Sequence, residues 1–453
     1  MGRNQRYMPG LDGLRALAVL SVVANHLNLS FAPGGLLGVG VFFTLSGYLI
    51  TDLLLGQWEA NGRLNLRDFW LRRARRLLPA LFLMLAAVVI WVSVADPPQL
   101  GALRGNAGAA AVYVNNWWLI FHHVSYFARF GPPSSVGNLW SLAVEEQFYL
   151  IWPWLLLLGL LYVAGRPARP PTRGWARRQA RTRWVLAGGT LCLAILSAFE
   201  MAALYHPTFD PTRVYDGTDT RAFGLLFGAA LAMIWPSRRL RAKVTVGARR
   251  IVDGMGAVGL VGIALLVWRT DQYSAFLYRG GLVLLSLATV LVVIAATHPA
   301  STVGRALGRQ PLRWIGVRSY GIYLWHYPII VLTTPMVTRG MDLPRALLQV
   351  GASIGVAALS WRFVESPIRR GALGRFIREV RERAWRLWEV PARGVLASGG
   401  ALATIGMCCA ALAGAIPTTP AGALAVANDA NTATAFGGSG LSLHSLRLHS
   451  LRL

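Results

Sequence analysis

Leu11-Asp12-Gly13-Leu14-Arg15-Ala16-Leu17-Ala18-Val19-Leu20-Ser21-Val22-Val23-Ala24-Asn25-His26-Leu27-Asn28-Leu29-Ser30 is the stretch on which the reading of this chain turns. As a helix rising about 1.5 Å per residue it is long enough to cross a bilayer, yet it carries Arg15 and His26. Eleven steps of ~100° leave these side chains within about 20° of each other on one face, and roughly 16 Å apart along the axis. An ionisable residue inside a spanning helix costs roughly 2.5 to 3.5 kcal/mol on insertion scales. Taken singly, each has a plain account: Arg15 reaches the cytoplasmic headgroups, and His26 is a hydrogen-bonded core histidine. Together on one face they describe an internal polar track.

The rest of the chain extends this pattern. Hydrophobic residues make up 55% of its 453 positions, and they fall in runs of about 18 to 22, the length of a membrane-crossing helix. The net charge of +26 is almost all arginine, with Lys243 the only lysine. It lies in short blocks between apolar runs, which argues for loops beside a bilayer and against nucleic acid. Cys192, Cys408 and Cys409 all sit in apolar runs and form neither a disulfide framework nor a zinc pattern. The basic lead Met1–Met8 precedes an apolar run with no small-residue cleavage site, so the first helix reads as retained.

The fold class expected is all-α, a polytopic transmembrane helical bundle of about eleven spans. They fall at 11–30, 36–56, 78–96, 141–163, 184–204, 219–236, 252–268, 279–297, 318–337, 343–363 and 394–416. A further apolar stretch, 101–121, contains Arg104, Asn106, Asn115 and Asn116. Orientation decides its status, because basic loops stay in the cytoplasm. If 101–121 does not span, the arginine-rich loops 57–77, 164–183, 237–251, 298–318 and 364–393 all share the side of the N-terminus. If it spans, four of the five face outward. Residues 97–140 are therefore expected to form an outward-facing, partly re-entrant segment, with the N-terminus cytoplasmic and the C-terminus extracytoplasmic. Residues 371–416 read as a cytoplasmic basic segment and an additional span, and 417–440 as an extracytoplasmic linker rich in Ala, Thr, Gly and Asn. The Leu-His-Ser-Leu-Arg-Leu repeat at 441–453 resembles a cloning or reading-frame scar.

Several clusters carry chemistry. Gly38, Gly40 and Gly47 permit close helix approach around Phe42–Leu49, where Ser46 fits either an interhelical hydrogen bond or a substrate contact. Arg72, Arg73, Arg75 and Arg76 form a compact cationic cluster before Pro79. Arg72 with Arg75, and Arg73 with Arg76, stand one helical turn apart, so each pair could clamp a phosphate with its guanidinium forks. Glu145 and Glu146 sit at the mouth of a span in Trp140–Tyr149, where carboxylates ordinarily pair or move protons. Asp219-Thr220-Arg221 opens another span, with a local interfacial ion pair as its plainer account. Tyr320–Pro328 places His326 near mid-membrane beside a helix-bending proline. His122, His123, His206 and His298 fall at span ends or in loops.

Arg15 and His26 with ten residues between them, Phe42–Leu49, the Arg-x-x-Arg pairs, Trp140–Tyr149, Tyr320–Pro328 and Glu365-Ser366-Pro367 occur in the order found in the membrane-bound acyltransferase-3 family. The chain resembles that family over about residues 7 to 370, the stretch 1–370 forming the family-like transmembrane domain. One departure is that Phe223 and Gly224 follow Thr220-Arg221 where the family often has an acidic residue. The resemblance implies an O-acyltransferase of the bacterial cytoplasmic membrane. It would move an acyl group, acetyl or another short one, from cytoplasmic acyl-CoA, acetyl-CoA above all, to an extracytoplasmic sugar or glycolipid. It also implies a branch in which an eleventh span leads to an SGNH-type esterase-like domain; no Gly-Asp-Ser run or late Asp-x-x-His of such a domain is present.

On this reading His26 is the general base and Glu145 or Glu146 orients its imidazole. Arg15, Arg72, Arg73, Arg75 and Arg76 hold the CoA phosphates. Ser46, Tyr48, Asn115, Trp117, Trp140, Arg221, Tyr323 and His326 contact substrate, with His326 binding or positioning and not serving as an equal base. No metal and no nucleic acid enters. Two rivals from other classes are a lipid-linked sugar flippase or exporter and a non-catalytic membrane scaffold. Neither needs the arginine site, and labelled acyl-CoA separates the three.

Overall fold

The computed structural model describes residues 7–125, 134–164, 173–335 and 342–372, with positions 374, 375 and 378. Among the described residues all regular structure is helical. In chain order the helices are α1 (Pro9–His26), α2 (Gly38–Asn61), α3 (Leu66–Ala95), α4 (Leu100–Ala111), α5 (Asn115–Phe121), α6 (Trp140–Ala164), α7 (Arg173–Leu204) and α8 (Thr212–Asp216). They continue as α9 (Thr218–Ile234), α10 (Val246–Arg269), α11 (Leu282–Thr297), α12 (Thr302–Leu307), α13 (Leu312–Val317), α14 (Ser319–Thr333), α15 (Leu343–Ser360) and α16 (Ser366–Arg369). Among the described residues seven helical segments, those built on α2, α3, α6, α7, α10, α11 and α15, are long and apolar enough to cross a membrane. The span expected at 394–416, the linker 417–440 and the repeat 441–453 lie outside the described residues.

Three expected spans form shorter helices: α1, α9 and α14 have 18, 17 and 15 residues. These three carry Arg15 and His26, Arg221, and His326, and their residues are largely buried by neighbouring helices. The ionisable side chains thus sit on the inner helices of the bundle, where protein surrounds them. The stretch 101–121 is not one helix. It breaks at Tyr113, which takes a positive φ of 57°, into α4 and α5 of 12 and 7 residues, each too short to cross at about 1.5 Å per residue.

The first helix also stops short of the stretch that defines it. It ends at His26, because Asn28 adopts a left-handed φ of 54° and Pro33-Gly34-Gly35 follows. α1 is the hub of the bundle, packed against α2, α11, α12, α13 and α14. Small residues allow the closest crossings, as expected where lipid supplies no hydrophobic drive. A Cβ on Gly47 would lie 1.8 Å from the Leu225 carbonyl oxygen, and one on Gly228 would lie 1.9 Å from that of Thr44, so α2 and α9 touch backbone to backbone. Gly38 packs in the same way against Ala18 of α1, where a Cβ would come within 2.3 Å of its carbonyl oxygen.

Candidate active site

An internal cavity of about 80 Å³ opens between α1, α2, α3, α6 and α14. That volume is roughly six water-sized positions. One wall is apolar, with Phe42, Phe43 and Leu49 from α2. The charged lining comes from other helices: α1 contributes Arg15, α3 contributes Arg73 and Arg76, and α6 contributes Glu145.

Three of these charged groups have a specific hold, Arg15, Arg73 and Glu145. Asp12, one turn before Arg15, lies 3.4 Å from its guanidinium and accepts a 2.6 Å hydrogen bond from the Tyr7 hydroxyl. Arg73 lies 3.6 Å from the centre of the Tyr149 ring and 4.0 Å from Glu146. Glu145 accepts from the Ser46 hydroxyl at 2.9 Å and from the Tyr149 hydroxyl at 3.4 Å. The four-arginine cluster expected from sequence is split by the helix that carries it. Arg73 and Arg76 turn into the cavity, while Arg72 and Arg75 are exposed.

At the far end of the cavity stand Ser141 and Tyr323. Their hydroxyl oxygens are 2.6 Å apart, and Tyr323 also donates to the Asn138 carbonyl at 3.0 Å. Beyond Tyr323, whose ring centre is 5.4 Å from that of His326, the two histidines meet. His26 Nδ1 and His326 Nε2 are 3.0 Å apart, and His326 Nδ1 lies 3.1 Å from the Ile322 carbonyl oxygen. That carbonyl can only accept, so Nδ1 of His326 bears the proton and its Nε2 is the acceptor. His26 Nδ1 is then the donor between the rings. In the neutral pair this leaves Nε2 of His26 as the unprotonated nitrogen, the tautomer a general base needs. The group on Nδ1 of His26 is therefore a second histidine, where sequence reading expected Glu145 or Glu146. Those carboxylates stand instead with Ser46, Tyr149 and Arg73.

The other expected substrate residues fall into two groups. Asn115, Trp117, Trp140 and Arg221 belong to a buried polar shell built from α5, α6 and α9. Asn115 donates to the Val136 carbonyl, and Trp117 donates to Gln147 at 3.2 Å. Arg221 is enclosed by the rings of Phe43, Trp140 and Tyr215, its guanidinium carbon 4.9 to 5.8 Å from their centres. Tyr48 is elsewhere: it is fully buried and donates to the Trp235 carbonyl at 3.0 Å, which makes it a tie between α2 and the end of α9. Asp12, Ser141 and Tyr149 join the site without having stood out in the sequence. Their only signal is helical spacing, Asp12 one turn before Arg15 and both Ser141 and Tyr149 one turn from Glu145. Among the described residues no group of three or more His, Cys, Asp or Glu side chains is placed to hold a metal ion.

A helical bundle with segments of membrane length, an arginine-lined cavity and a histidine pair beside Tyr323 describes a membrane protein with a polar interior. Residues 8–364 match the family model described as an acyltransferase domain, and the chain belongs to the acyltransferase-3 family. It is 46% identical over 387 residues to the peptidoglycan O-acetyltransferase OatA of Listeria monocytogenes, covering 85% of this chain and 60% of that one. It is 44% identical to the putative peptidoglycan O-acetyltransferase YrhL of Bacillus subtilis, over 86% of this chain and 59% of the other. Against the O-acetyltransferase OatA of Staphylococcus aureus it is 36% identical, over 81% and 58%. The chain thus spans about 60% of the length of the curated relatives it matches. No solved structure matches it.

Proposed function

We propose that the chain is a multi-pass O-acyltransferase of the bacterial cytoplasmic membrane, carrying an acetyl group from cytoplasmic acetyl-CoA to a hydroxyl of an extracytoplasmic cell-envelope carbohydrate or glycolipid. The topology that goes with this reading has eleven spans, the N-terminus inside and 97–140 outside, the one count that keeps all five basic loops cytoplasmic. The observation that carries the reading is the alignment of the arginine-lined cavity with the His26–His326 pair beyond Tyr323. CoA phosphates suit Arg15, Arg73 and Arg76, and an apolar wall of Phe42, Phe43 and Leu49 suits the acyl end. The named activity of the relatives, O-acetyl transfer in peptidoglycan, agrees in acyl group and in acceptor class.

The chemistry runs in two steps. The acceptor oxygen attacks the thioester carbonyl carbon as its proton passes to Nε2 of His26, and the carbonyl π electrons move onto oxygen. The tetrahedral adduct then re-forms the carbonyl, the C–S bond breaks, and the departing thiolate takes the proton back from the imidazolium. General-base catalysis of this kind contributes about 10²- to 10⁴-fold. His326 keeps the imidazole in the working tautomer, the part a carboxylate plays in other acyl-transfer sites. Asn115, Trp117, Trp140 and Arg221 form the acceptor side, and an SGNH-type domain is a candidate partner in receiving the acyl group. The test uses the full chain in lipid nanodiscs with [¹⁴C]acetyl-CoA and a soluble glycan. Release of CoA with label on the glycan supports the reading. Passage of a lipid-linked sugar across vesicles without CoA release points to the flippase, and neither activity points to the scaffold.

A further inference from the structure

Ser141 has no part in the proton transfers above, yet it occupies the end of the cavity nearest the histidines. It is 3% exposed, lines the cavity beside Tyr323, and its hydroxyl oxygen lies 2.6 Å from that of Tyr323. Both hydroxyls are anchored on one backbone oxygen: Tyr323 donates to the Asn138 carbonyl at 3.0 Å, and Ser141 reaches the same atom at 3.3 Å. The anchor is itself fixed, because the Asn138 side chain donates to the Tyr323 carbonyl at 3.1 Å and so ties the start of α6 to α14. Two hydroxyl protons serve three oxygens here, so one proton can turn away without leaving the group unbonded.

We infer that Ser141 and Tyr323 form the oxyanion-stabilising donors of the transfer, Ser141 donating to the thioester carbonyl oxygen and Tyr323 donating to Ser141. The inference rests on the donor reading given above and extends it. An acyl group seated between the arginines and the histidines has its carbonyl at this end of the cavity. There the apolar wall of Phe42 and Phe43 excludes water and strengthens a hydrogen bond to developing charge. As the acceptor oxygen attacks, the carbonyl π pair becomes an alkoxide lone pair facing the Ser141 proton. Tyr323 turns its own proton from the Asn138 carbonyl to Ser141 and holds that hydroxyl in place. When the C–S bond breaks the charge leaves the oxygen, and both protons return. Neither hydroxyl forms a covalent bond.

The experiment compares wild type, Ser141→Ala, Ser141→Thr and Tyr323→Phe in nanodiscs with acetyl-CoA and a soluble glycan. Ser141→Ala should lower kcat about 10²- to 10³-fold, the usual effect of losing one oxyanion donor. Its KM for acetyl-CoA should stay within about twofold, Thr should restore most of the rate, and Tyr323→Phe should fall between. A second readout does not depend on turnover: in a His26→Ala background, bound [1-¹³C]acetyl-CoA should show a lowered carbonyl stretching frequency that Ser141→Ala returns to its free value. Unchanged kcat in Ser141→Ala, a carbonyl band indifferent to the substitution, or an acetylated Ser141 in mass spectra of the quenched enzyme overturns the inference. If acetyl-CoA binds and turns over in wild type, such a result leaves the donor reading standing. A wild type that does neither overturns both.

Discussion

The division of the arginines on α3 is open to a direct measurement. Arg76 lines the cavity and stands near the like charges of Arg15, Arg73 and Arg369. A hydrogen bond to a charged group contributes roughly 1.5 to 3 kcal/mol, so removing one phosphate contact should raise Kd by about 10- to 150-fold. Loss of one cation from a crowded set also relieves repulsion, which places Arg76→Gln near the lower end, about 10- to 30-fold. Arg72 and Arg75 point outward, where ion pairs are screened and contribute about 0.5 kcal/mol each. The double variant Arg72→Gln/Arg75→Gln should therefore change Kd less than about fivefold. Titration calorimetry of acetyl-CoA into nanodisc-embedded protein reads both. Arg73 is the poorer choice for substitution, because it also faces Tyr149 and Glu146, and its removal leaves a buried carboxylate exposed to a folding cost. An Arg76→Gln protein with wild-type affinity, or an outward double variant weaker than Arg76→Gln, would refute the assignment of the cavity to the donor phosphates.

Three further outcomes are expected. His26→Ala should abolish transfer and leave acetyl-CoA binding intact, whereas His326→Ala should keep partial activity, roughly 10²-fold down, as the loss of an orienting partner would; steady-state rates beside calorimetric binding distinguish the two. In a cysteine-free background, a membrane-impermeant maleimide applied to intact cells should label His123→Cys and not Lys243→Cys, and the reverse pattern would invert the proposed topology. Gly228→Ala forces a Cβ to within 1.9 Å of the Thr44 carbonyl oxygen and should cost at least about 1 to 3 kcal/mol, seen as a lower Tm. Gly254→Ala, with nothing within 4 Å, should be neutral.

Helical periodicity made the faces legible in advance, but not which faces meet. The common face of Arg15 and His26 follows from their spacing, and α1 does carry one to the cavity and the other to the histidine pair. The partner of His26 is 300 residues away on another helix, and no local pattern announces such a contact. The same limit explains the arginines: the spacing gives two pairs, while the side of α3 turned inward is decided by packing against α6 and α14. Tyr48 sits two positions from Ser46, and two steps of about 100° turn it to the other face, so it faces α9 while Ser46 faces Glu145. The early end of α1 was masked because the apolar run continues through Leu27 and Leu29, and only the left-handed Asn28 interrupts it.

That early end has an electrostatic consequence. Peptide dipoles along α1 sum to about half a negative charge at its C-terminus, an effect confined to the last turn. His26 is the final residue of the helix, so its ring lies in that field. An imidazolium that forms there during proton transfer is favoured by about 1 kcal/mol, close to fivefold in rate if the full effect is felt at the transition state. A helix continued to Ser30 would carry its negative pole a further turn, about 6 Å, beyond the ring. The break at Asn28 thus gives the proposed base its field as well as its position.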